Sequence, residues 1–291
     1  MDIRVLKYFL EVIDKGSIAK AADSMLTTAP NISRQIKNLE EELGVKLFDK
    51  SGKYMELTED GLFLKTRARE IVALYDRTEN DIKNKEQEIS GTVYIGAAET
   101  YSMHSVGKTI KKLSASHPGV KFHIQSGSSE TVTDGLDSGI FDFGILMEPV
   151  DISKYGHIKF STPEQWGVLM RKDHPLAELP SIRPNDLEDI PLMCSAQMID
   201  GNGLSGWLGK DTNSLSFVLT YNLITTPTMM VEEGVGCALT LKDLVQTKWT
   251  ELTFRRLNPK IETSLFLVWR QDQKLSRAAM LFLETFHASS I

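Results

Sequence analysis

The segment spanning residues 16–61 constrains the fold most, because it combines two short helical patterns, a turn-rich interval and the start of a longer helix. Ahead of it, an apolar face recurs at helical spacing and comprises Leu6, Phe9, Leu10 and Ile13. Gly16 suits the position just past that first helix, and Ser17 suits the N-cap of the second. The second helix has its own buried face, formed by Ala21, Ala22 and Met25.

A third helix follows after a tight turn. Thr28 is a candidate N-cap, and Pro30 is tolerated in the first helical turn. The apolar stripe steps by four, three and four residues through Ile32, Ile36, Leu39 and Leu43. The opposite face is polar and carries Asn31, Ser33, Arg34, Lys37 and Asn38. Two short helices in this order, the second with an outward polar face, predict a helix-turn-helix that binds double-stranded DNA.

A basic hairpin is predicted after Gly44. Lys50 and Lys53 flank a turn signal, as in a wing that rests on the phosphate backbone. For the third helix, the alternative to a DNA-reading role is an ordinary amphipathic surface helix with solvated charges, which the surrounding pattern disfavours. Arg34 can contact a guanine edge or a phosphate, and the sequence leaves both interpretations open. The candidate DNA-binding residues are Ser17, Thr28, Pro30, Asn31, Ser33, Arg34, Lys37, Lys50 and Lys53.

This segment resembles the N-terminal domain of LysR-type transcriptional regulators. The matching positions are Phe9, Gly16-Ser17, Ala21-Ala22, Pro30, Ser33-Arg34-Gln35-Ile36, Leu39-Glu40, Leu43-Gly44, Leu47-Phe48, Leu57-Thr58 and Gly61. Two departures stand out. Ala29 replaces the family's usual glutamine before the proline, and the wing arginines are lysines here, which lack the bidentate fork. Base recognition is therefore expected either to shift toward Pro30, Ser33 and Arg34 or to be weaker.

A fourth helix, which is long, is predicted over residues 58–89. Thr58 is its capping hydroxyl, and Glu59 and Asp60 lie at the positive end of the dipole. A heptad-like apolar seam comprises Leu64, Ala68, Ile71, Tyr75, Thr78 and Ile82. The favoured interpretation is a homodimer that presents two heads to a dyad-symmetric site. Packing within the chain is the alternative, and the resemblance implies a homotetramer.

The remaining chain alternates strand and helix patterns, which predicts parallel sheets covered by helices. The fold class is therefore α+β multidomain: a winged helix-turn-helix, a linker helix and an α/β sensor. The resemblance implies that the sensor has two subdomains and is like a periplasmic binding protein. The expected domains are 1–58 for DNA binding, 59–90 for the linker and 91–291 for regulation. Subdomain I would span 91–162 and 268–291, and subdomain II 163–267.

Polar residues follow the first two sensor strands, where ligands of open α/β sheets bind. Helix N-termini there favour an anionic group, such as a carboxylate, in a small-molecule effector of unknown identity. Against this, Glu99 and Glu130 disfavour a polyanion. The resemblance implies effector contacts at Thr100, Ser102 and Ser128. The full candidate set is Thr100, Tyr101, Ser102, Ser128, Met147, Met198, Asn202, Thr225 and Thr226.

Composition narrows the function classes. The 291 residues carry a net charge of −6, so DNA binding must depend on charge distribution and oligomerisation. No apolar run reaches the ~20 residues that a membrane helix needs, and no signal peptide is evident, which predicts a cytoplasmic protein. Cys194 and Cys237 show no metal spacing and are interpreted as buried reduced thiols. No catalytic pattern, cofactor or metal site is expected.

Together these features predict an effector-controlled, DNA-binding transcriptional regulator rather than an enzyme. RNA polymerase is a further candidate partner, because effector binding would alter DNA bending or polymerase contact. The alternative from another class is a cytoplasmic solute-binding protein without a regulatory DNA role, which the sensor half alone would support.

Overall fold

The computed structural model describes residues 1–49, 56–83, 89–200 and 202–290. The chain forms two compact units, Met1–Lys85 and Glu86–Ile291, and each is described by itself. Lys50 and Lys53, the predicted wing lysines, lie outside the described residues. None of the described helices is both long enough and apolar enough to cross a bilayer.

The first unit is a helical head with a small two-stranded sheet. Its elements are α1 (Ile3–Lys15), α2 (Ile18–Ser24), α3 (Ala29–Leu43), β1 (Phe48–Asp49), β2 (Glu56–Leu57) and α4 (Glu59–Lys83). Strands β1 and β2 pair antiparallel and flank the predicted wing. Gly16 ends α1 in the left-handed region at φ 65°, as the sequence predicts for a residue just past the helix.

The apolar stripe of α3 faces the core of the head. Ile32, Ile36 and Leu39 are buried, whereas Leu43 is 40% exposed. The prediction for Leu43 is wrong because it is the last residue of α3. The left-handed Gly44, at φ 70°, turns the chain there, so the stripe ends one helical turn early.

The apolar stripe of α4 is buried at its start and exposed farther along the helix. Leu64, 9% exposed, and Ala68, fully buried, belong to the same core as the apolar face of α1. Ile71, Tyr75 and Ile82 are exposed. The predicted six-residue seam is therefore divided: its first two members pack inside the head and are not available to a second chain.

The start of α4 explains this division. The hydroxyl of Thr58 donates to the carbonyl of Lys46 (2.6 Å) and accepts from the N–H of Gly61 (3.0 Å). These bonds hold the first turns of α4 on the head. The described helix ends at Lys83; residues 84–88 lie outside the described ranges, and Ile89, predicted to continue the helix, lies in a bend.

The second unit contains two sheets with helices. Its elements, in chain order, are β3 (Gly91–Ala97), α5 (Met103–Ser116), β4 (Val120–Ser126), α6 (Ser129–Asp137), β5 (Phe143–Met147), β6 (Tyr155–Lys159), β7 (Glu164–Arg171), β8 (Pro191–Ser195), α7 (Ala196–Asp200), α8 (Asn202–Leu208), β9 (Ser216–Tyr221), α9 (Thr225–Glu232), β10 (Cys237–Leu241), β11 (Leu252–Arg256), β12 (Glu262–Thr263), β13 (Leu265–Arg270) and α10 (Arg277–Ser290).

The strand order is β4-β3-β5-β13-β6 in the first sheet and β11-β7-β10-β8-β9 in the second, where β12 also pairs with β7. In each sheet three consecutive strands run parallel: β4, β3 and β5 in the first, and β10, β8 and β9 in the second. Every residue of β5 and β10 is buried, as expected for strands covered on both faces.

The chain returns to the first sheet earlier than predicted. The expected boundary between residues 267 and 268 falls inside β13. Leu265, Phe266 and Leu267 pair with β5 in the first sheet, opposite Met147, Leu146 and Ile145. The crossing therefore precedes β13, because the whole apolar strand completes the core of the first sheet.

Candidate functional site

The outward face of α3 is the candidate DNA interface. Pro30 lies in the first turn, and Ser33, Arg34 and Lys37 are exposed. Within the described ranges, the Arg34 guanidinium makes no hydrogen bond or ion pair. The Lys37 ammonium, by contrast, lies 3.4 Å from the carboxylate of Glu41. Arg34 is thus the cation of this face that is free to bind phosphate or a base edge.

The helix starts flank this face. Ser17 and Thr28 occupy N-cap positions as predicted, but neither hydroxyl makes a capping hydrogen bond. The side-chain amide of Asn31 donates to the hydroxyl of Thr27 (3.0 Å), which holds Asn31 at the beginning of α3. The Thr28 hydroxyl and the restrained Asn31 amide therefore accompany Arg34 in the N-terminal part of α3, and the Ser17 hydroxyl lies at the start of α2. Helix N-termini bind phosphates favourably.

Glu40 is a structural residue of the head that the sequence interpretation missed. Its buried carboxylate accepts hydrogen bonds from the N–H groups of Leu47 (2.8 Å) and Phe48 (3.4 Å) and from Lys46 Nζ (3.3 Å). Burial opposes ionisation, but these donors outweigh it and lower the pKa of Glu40 below its ordinary value. The carboxylate thereby joins α3 to the start of β1.

The second unit contains a cavity of about 100 Å³ between its two sheets. It lies at the carboxyl ends of parallel strands in both, which is where open α/β sheets bind ligands. One wall follows β3, β4 and β5, and the other follows β8, β9 and β10. Lining residues from the two walls include Glu99, Ser128, Met147, Gln197, Tyr221 and Thr240. This cavity is the candidate effector site.

Two of the predicted effector residues, Ser128 and Met147, line this cavity. Met198 lines a neighbouring cavity of about 420 Å³, which Met147 shares. Tyr101 and Ser102 instead line a separate cavity of about 570 Å³ beside the start of α5. Five of the nine predicted effector residues are thus distributed over three cavities.

The remaining predicted residues lie elsewhere. Thr100 is buried, and its hydroxyl has no hydrogen-bond partner within the part of the chain that the structure describes. Thr225 and Thr226 are exposed at the start of α9 and do not line the cavity. The side chain of Asn202 lies outside the described side chains.

Two carboxylates bridge the subdomains at helix N-termini. Glu99, after β3, accepts the N–H of Ile224 (3.0 Å), which precedes α9 of the other subdomain. Glu164 of β7 accepts from both the N–H (2.9 Å) and the hydroxyl (2.7 Å) of Ser102, which precedes α5. The start of each of these helices is therefore capped by an acidic side chain from the opposite subdomain.

The lining also contains residues that the sequence did not single out, including Trp166, Tyr221 and Thr240. They lie on strands far apart in the chain, and their burial looks like ordinary core in a linear pattern. Burial raises the pKa of Tyr221, whose hydroxyl donates to the carbonyl of Leu239 (2.6 Å). The phenol is therefore neutral and fixed in place.

The two cysteines are free and buried. Burial raises the pKa of Cys194 to about 12 and that of Cys237 to about 11, which suppresses the reactive thiolate. Cys237 Sγ lies 3.6 Å from His174 Nε2. Among the described residues, no group of three or more His, Cys, Asp and Glu side chains is arranged to hold a metal ion.

Two family models match the chain. The LysR substrate binding domain matches residues 86–290, and the bacterial regulatory helix-turn-helix protein of the lysR family matches residues 3–62. The chain belongs to the LysR family. This membership confirms the predicted fold, and the helix-turn-helix match favours a LysR-type regulator over a solute-binding protein without a DNA-binding head.

Similar proteins cover nearly the whole LysR-family chain. An uncharacterized HTH-type transcriptional regulator, YvbU of Bacillus subtilis (strain 168), is 27% identical over 98% of this chain and 97% of that protein. The HTH-type transcriptional regulator BsdA of the same organism is 26% identical over 98% and 100%. Relatives of this kind are named as transcriptional regulators, not as enzymes.

Solved structures show the same fold. The crystal structure of CbnR, a LysR family transcriptional regulator, covers 100% of both chains with a TM-score of 0.77 at 18% identity. Full-length CbnR complexed with its target DNA covers 99% of this chain and 100% of that chain, with a TM-score of 0.74 at 18% identity.

Proposed function

We propose that this LysR-type regulator binds duplex DNA through the exposed face of α3 and responds to a small molecule bound between the two sheets of its second unit. The observation that carries the proposal is the exposed Arg34 in the N-terminal half of α3, whose guanidinium has no partner among the described residues. It occurs in a chain that also encloses a cavity at two sets of strand ends. The proposal contains no catalytic step and places the protein in the cytoplasm, with its DNA.

We further propose that the regulator acts as a homodimer, and as a homotetramer at its target site. The dimer would use the exposed apolar face of α4. This face carries Phe63, Ile71, Leu74, Tyr75 and Ile82, all of which are exposed. An exposed apolar stripe on a 25-residue helix favours pairing with a second copy. Two heads on one symmetric dimer suit a dyad-symmetric DNA site, and promoter-bound dimers would be placed to contact RNA polymerase.

Retention of DNA tests the first part of the proposal. The full chain should retain the DNA upstream of its own gene in a gel-shift assay, and unrelated DNA of equal length should be retained less. The Arg34→Ala variant should lose this preference, because direct contact at base edges or adjacent phosphates is removed. Equal retention by the variant and the parent would contradict the assignment of α3.

Oligomer mass tests the second part. Ile71→Glu and Ile82→Glu place a charge on the exposed face of α4 and should lower the sedimenting mass without unfolding the chain. If neither variant changes the sedimenting mass, the α4 interface is wrong.

A thermal-shift screen of small molecules tests the sensor. If no compound shifts the melting temperature, the sensor assignment loses its support.

A further inference from the structure

The cavity between the two sheets has an unusual charge balance. Glu99 is the one side chain charged at neutral pH among its described lining residues, which include no lysine, arginine or histidine. A ligand carboxylate would therefore meet a negative charge without a compensating cation. Moving like charges together in a partly buried site is unfavourable.

Three side-chain donors around the cavity, those of Trp166, Gln197 and Tyr221, are already engaged. Trp166 Nε1 donates to the hydroxyl of Thr263 (2.9 Å), and Gln197 Nε2 donates to the carbonyl of Met147 (3.2 Å). The hydroxyl of Tyr221 donates to a backbone carbonyl, as described above. Neutral donors remain at Ser195 and Asn222, but the described lining offers no cationic donor to an acceptor-only ligand such as a carboxylate.

Acceptor capacity, by contrast, remains at Glu99. Its Oε2 accepts the N–H of Ile224, and its Oε1 has no hydrogen-bond partner within the described residues. A carboxylate offers about four lone-pair directions, so Glu99 can accept further hydrogen bonds from a ligand. The cavity is therefore matched to a ligand that donates.

Helix N-termini do not reverse this preference. The starts of α5 and α9 are occupied by Glu164 and Glu99, respectively. Helix α6 is capped by its own Ser128, which accepts the N–H of Thr131 (3.2 Å), and it carries Glu130 in its first turn. These acidic groups offset the positive ends of the helix dipoles, which the sequence interpretation had assigned to an effector carboxylate.

We propose that this cavity binds a small ligand bearing a protonated amine, with Glu99 as its counter-ion. This inference rests on the proposed function, since it names the chemical class of the effector. The apolar side chains of Met147, Ile224 and Leu241 line the cavity and suit a short carbon chain. A volume of about 100 Å³ is smaller than the ~150 Å³ of a cavity that holds benzene, so the buried part of the ligand is short.

Calorimetric titration of the full chain with three probes of equal carbon number tests the proposal. The probes are n-butylammonium, n-butyrate and the neutral n-butyramide, at constant ionic strength. We expect n-butylammonium to bind at least about 10-fold more tightly than n-butyrate, because only the ammonium makes a charge-assisted bond with Glu99.

Glu99→Gln is the decisive variant. It keeps an acceptor for the Ile224 N–H but removes the charge, and it should weaken n-butylammonium binding by about 10-fold or more. Glu284→Gln is the matched control, because Glu284 is an exposed carboxylate on α10 that does not line the cavity. It removes the same charge from the protein and should leave the affinity unchanged.

Ala196→Leu provides a second variant, which fills the cavity without changing its charge and should abolish binding of n-butylammonium. The proposal is overturned if n-butyrate binds as tightly as n-butylammonium, or if Glu99→Gln and Glu284→Gln behave alike. It is also overturned if n-butylammonium fails to bind at about 0.1 M, well above the dissociation constant expected for a five-atom ligand in a matched site. Retention of promoter DNA separates this proposal from the proposed function. If the parent protein shows Arg34-dependent DNA binding but binds no amine, the amine proposal is rejected and the proposed function stands. If the parent protein binds no DNA, the proposed function is rejected.

Discussion

The DNA-binding head and the effector cleft are built in opposite ways. In the head, the candidate contacts of α3 come from one short stretch of sequence and are exposed on one helical face. In the cleft, the lining comes from strand ends spread over residues 98–244. A local helix can display its function by periodicity alone, whereas a cleft exists only after distant segments have packed together.

Helix capping shows the same contrast. In the head, α1 is capped by Asp2 and Gly16, which adjoin it in sequence. In the regulatory unit, α9 and α5 are capped by Glu99 and Glu164 from the opposite subdomain. Changes in the head should therefore act locally, while changes at the bridging carboxylates should affect both subdomains together.

The largest expected effect lies within α4. Leu64→Ala should lower the free energy of unfolding of the head by about 2–5 kcal/mol, because it leaves a cavity in the core. Ile71→Ala, on a side chain that is 40% exposed, should cost much less. Denaturant unfolding followed by circular dichroism measures both. Equal losses of unfolding free energy would show that the α4 stripe is not packed at Leu64 and free at Ile71.

A smaller effect is expected on α3. Arg34→Ala should weaken specific DNA binding by about 1–3 kcal/mol, or about 5- to 150-fold, in fluorescence anisotropy titrations. Lys37→Ala is the matched control and should cost less, because Lys37 already shares its charge with Glu41. If Lys37→Ala proves the more damaging change, the assignment of the free cation is wrong.

The pH dependence of the head should follow Glu40. Its lowered pKa means that its stabilising contribution is complete above the ordinary glutamate value of 4.5 and is lost as pH falls through the lower folded-state value. Glu40→Gln should cost about 1.5 kcal/mol at pH 7 and flatten the acid limb of the stability curve. Melting temperatures of parent and variant that converge toward low pH would support this, and parallel curves would contradict it.

The smallest effect is expected at the bridge between subdomains. Glu164→Gln should destabilise the regulatory unit by about 1 kcal/mol, because the amide replaces a charged acceptor of two hydrogen bonds with a neutral one. A double-mutant cycle with Ser102→Ala should show that the two changes are coupled. Exposed Glu130→Gln is the control and should be near neutral. Additive effects at positions 102 and 164 would refute the bridge.

Part of the site was predictable from sequence. The caps at Gly16 and Thr58 and the buried stripe from Ile32 to Leu39 follow from local rules, and the structure confirms them. Glu40 was counted with the acidic residues that follow it, although its position four residues after the buried Ile36 placed it on the inward face. Periodicity therefore predicts that Glu40 faces inward, but an acidic side chain is not expected to be buried, so its structural role was missed.

The cleft was less predictable. Ser128 and Met147 were found because they follow strands that periodicity identifies. Trp166, Tyr221 and Thr240 were not, because no local pattern reports which strand ends meet across two sheets. The preference for an effector carboxylate also depended on free N-termini at α5 and α6. In the structure Glu164 caps the start of α5, and Ser128 caps α6, which carries Glu130 in its first turn.

The sequence by itself determined the elements that local interactions specify: the helices of the head, their caps, and the alternation of strands and helices that requires covered parallel sheets. Tertiary structure alone decided which part of the α4 stripe is buried, where the chain returns to the first sheet, and which charges face the cavity. The physical reason is range. Capping and periodicity act within one or two turns, whereas the charge balance of a cavity is set by side chains that are remote in sequence and come together only on folding.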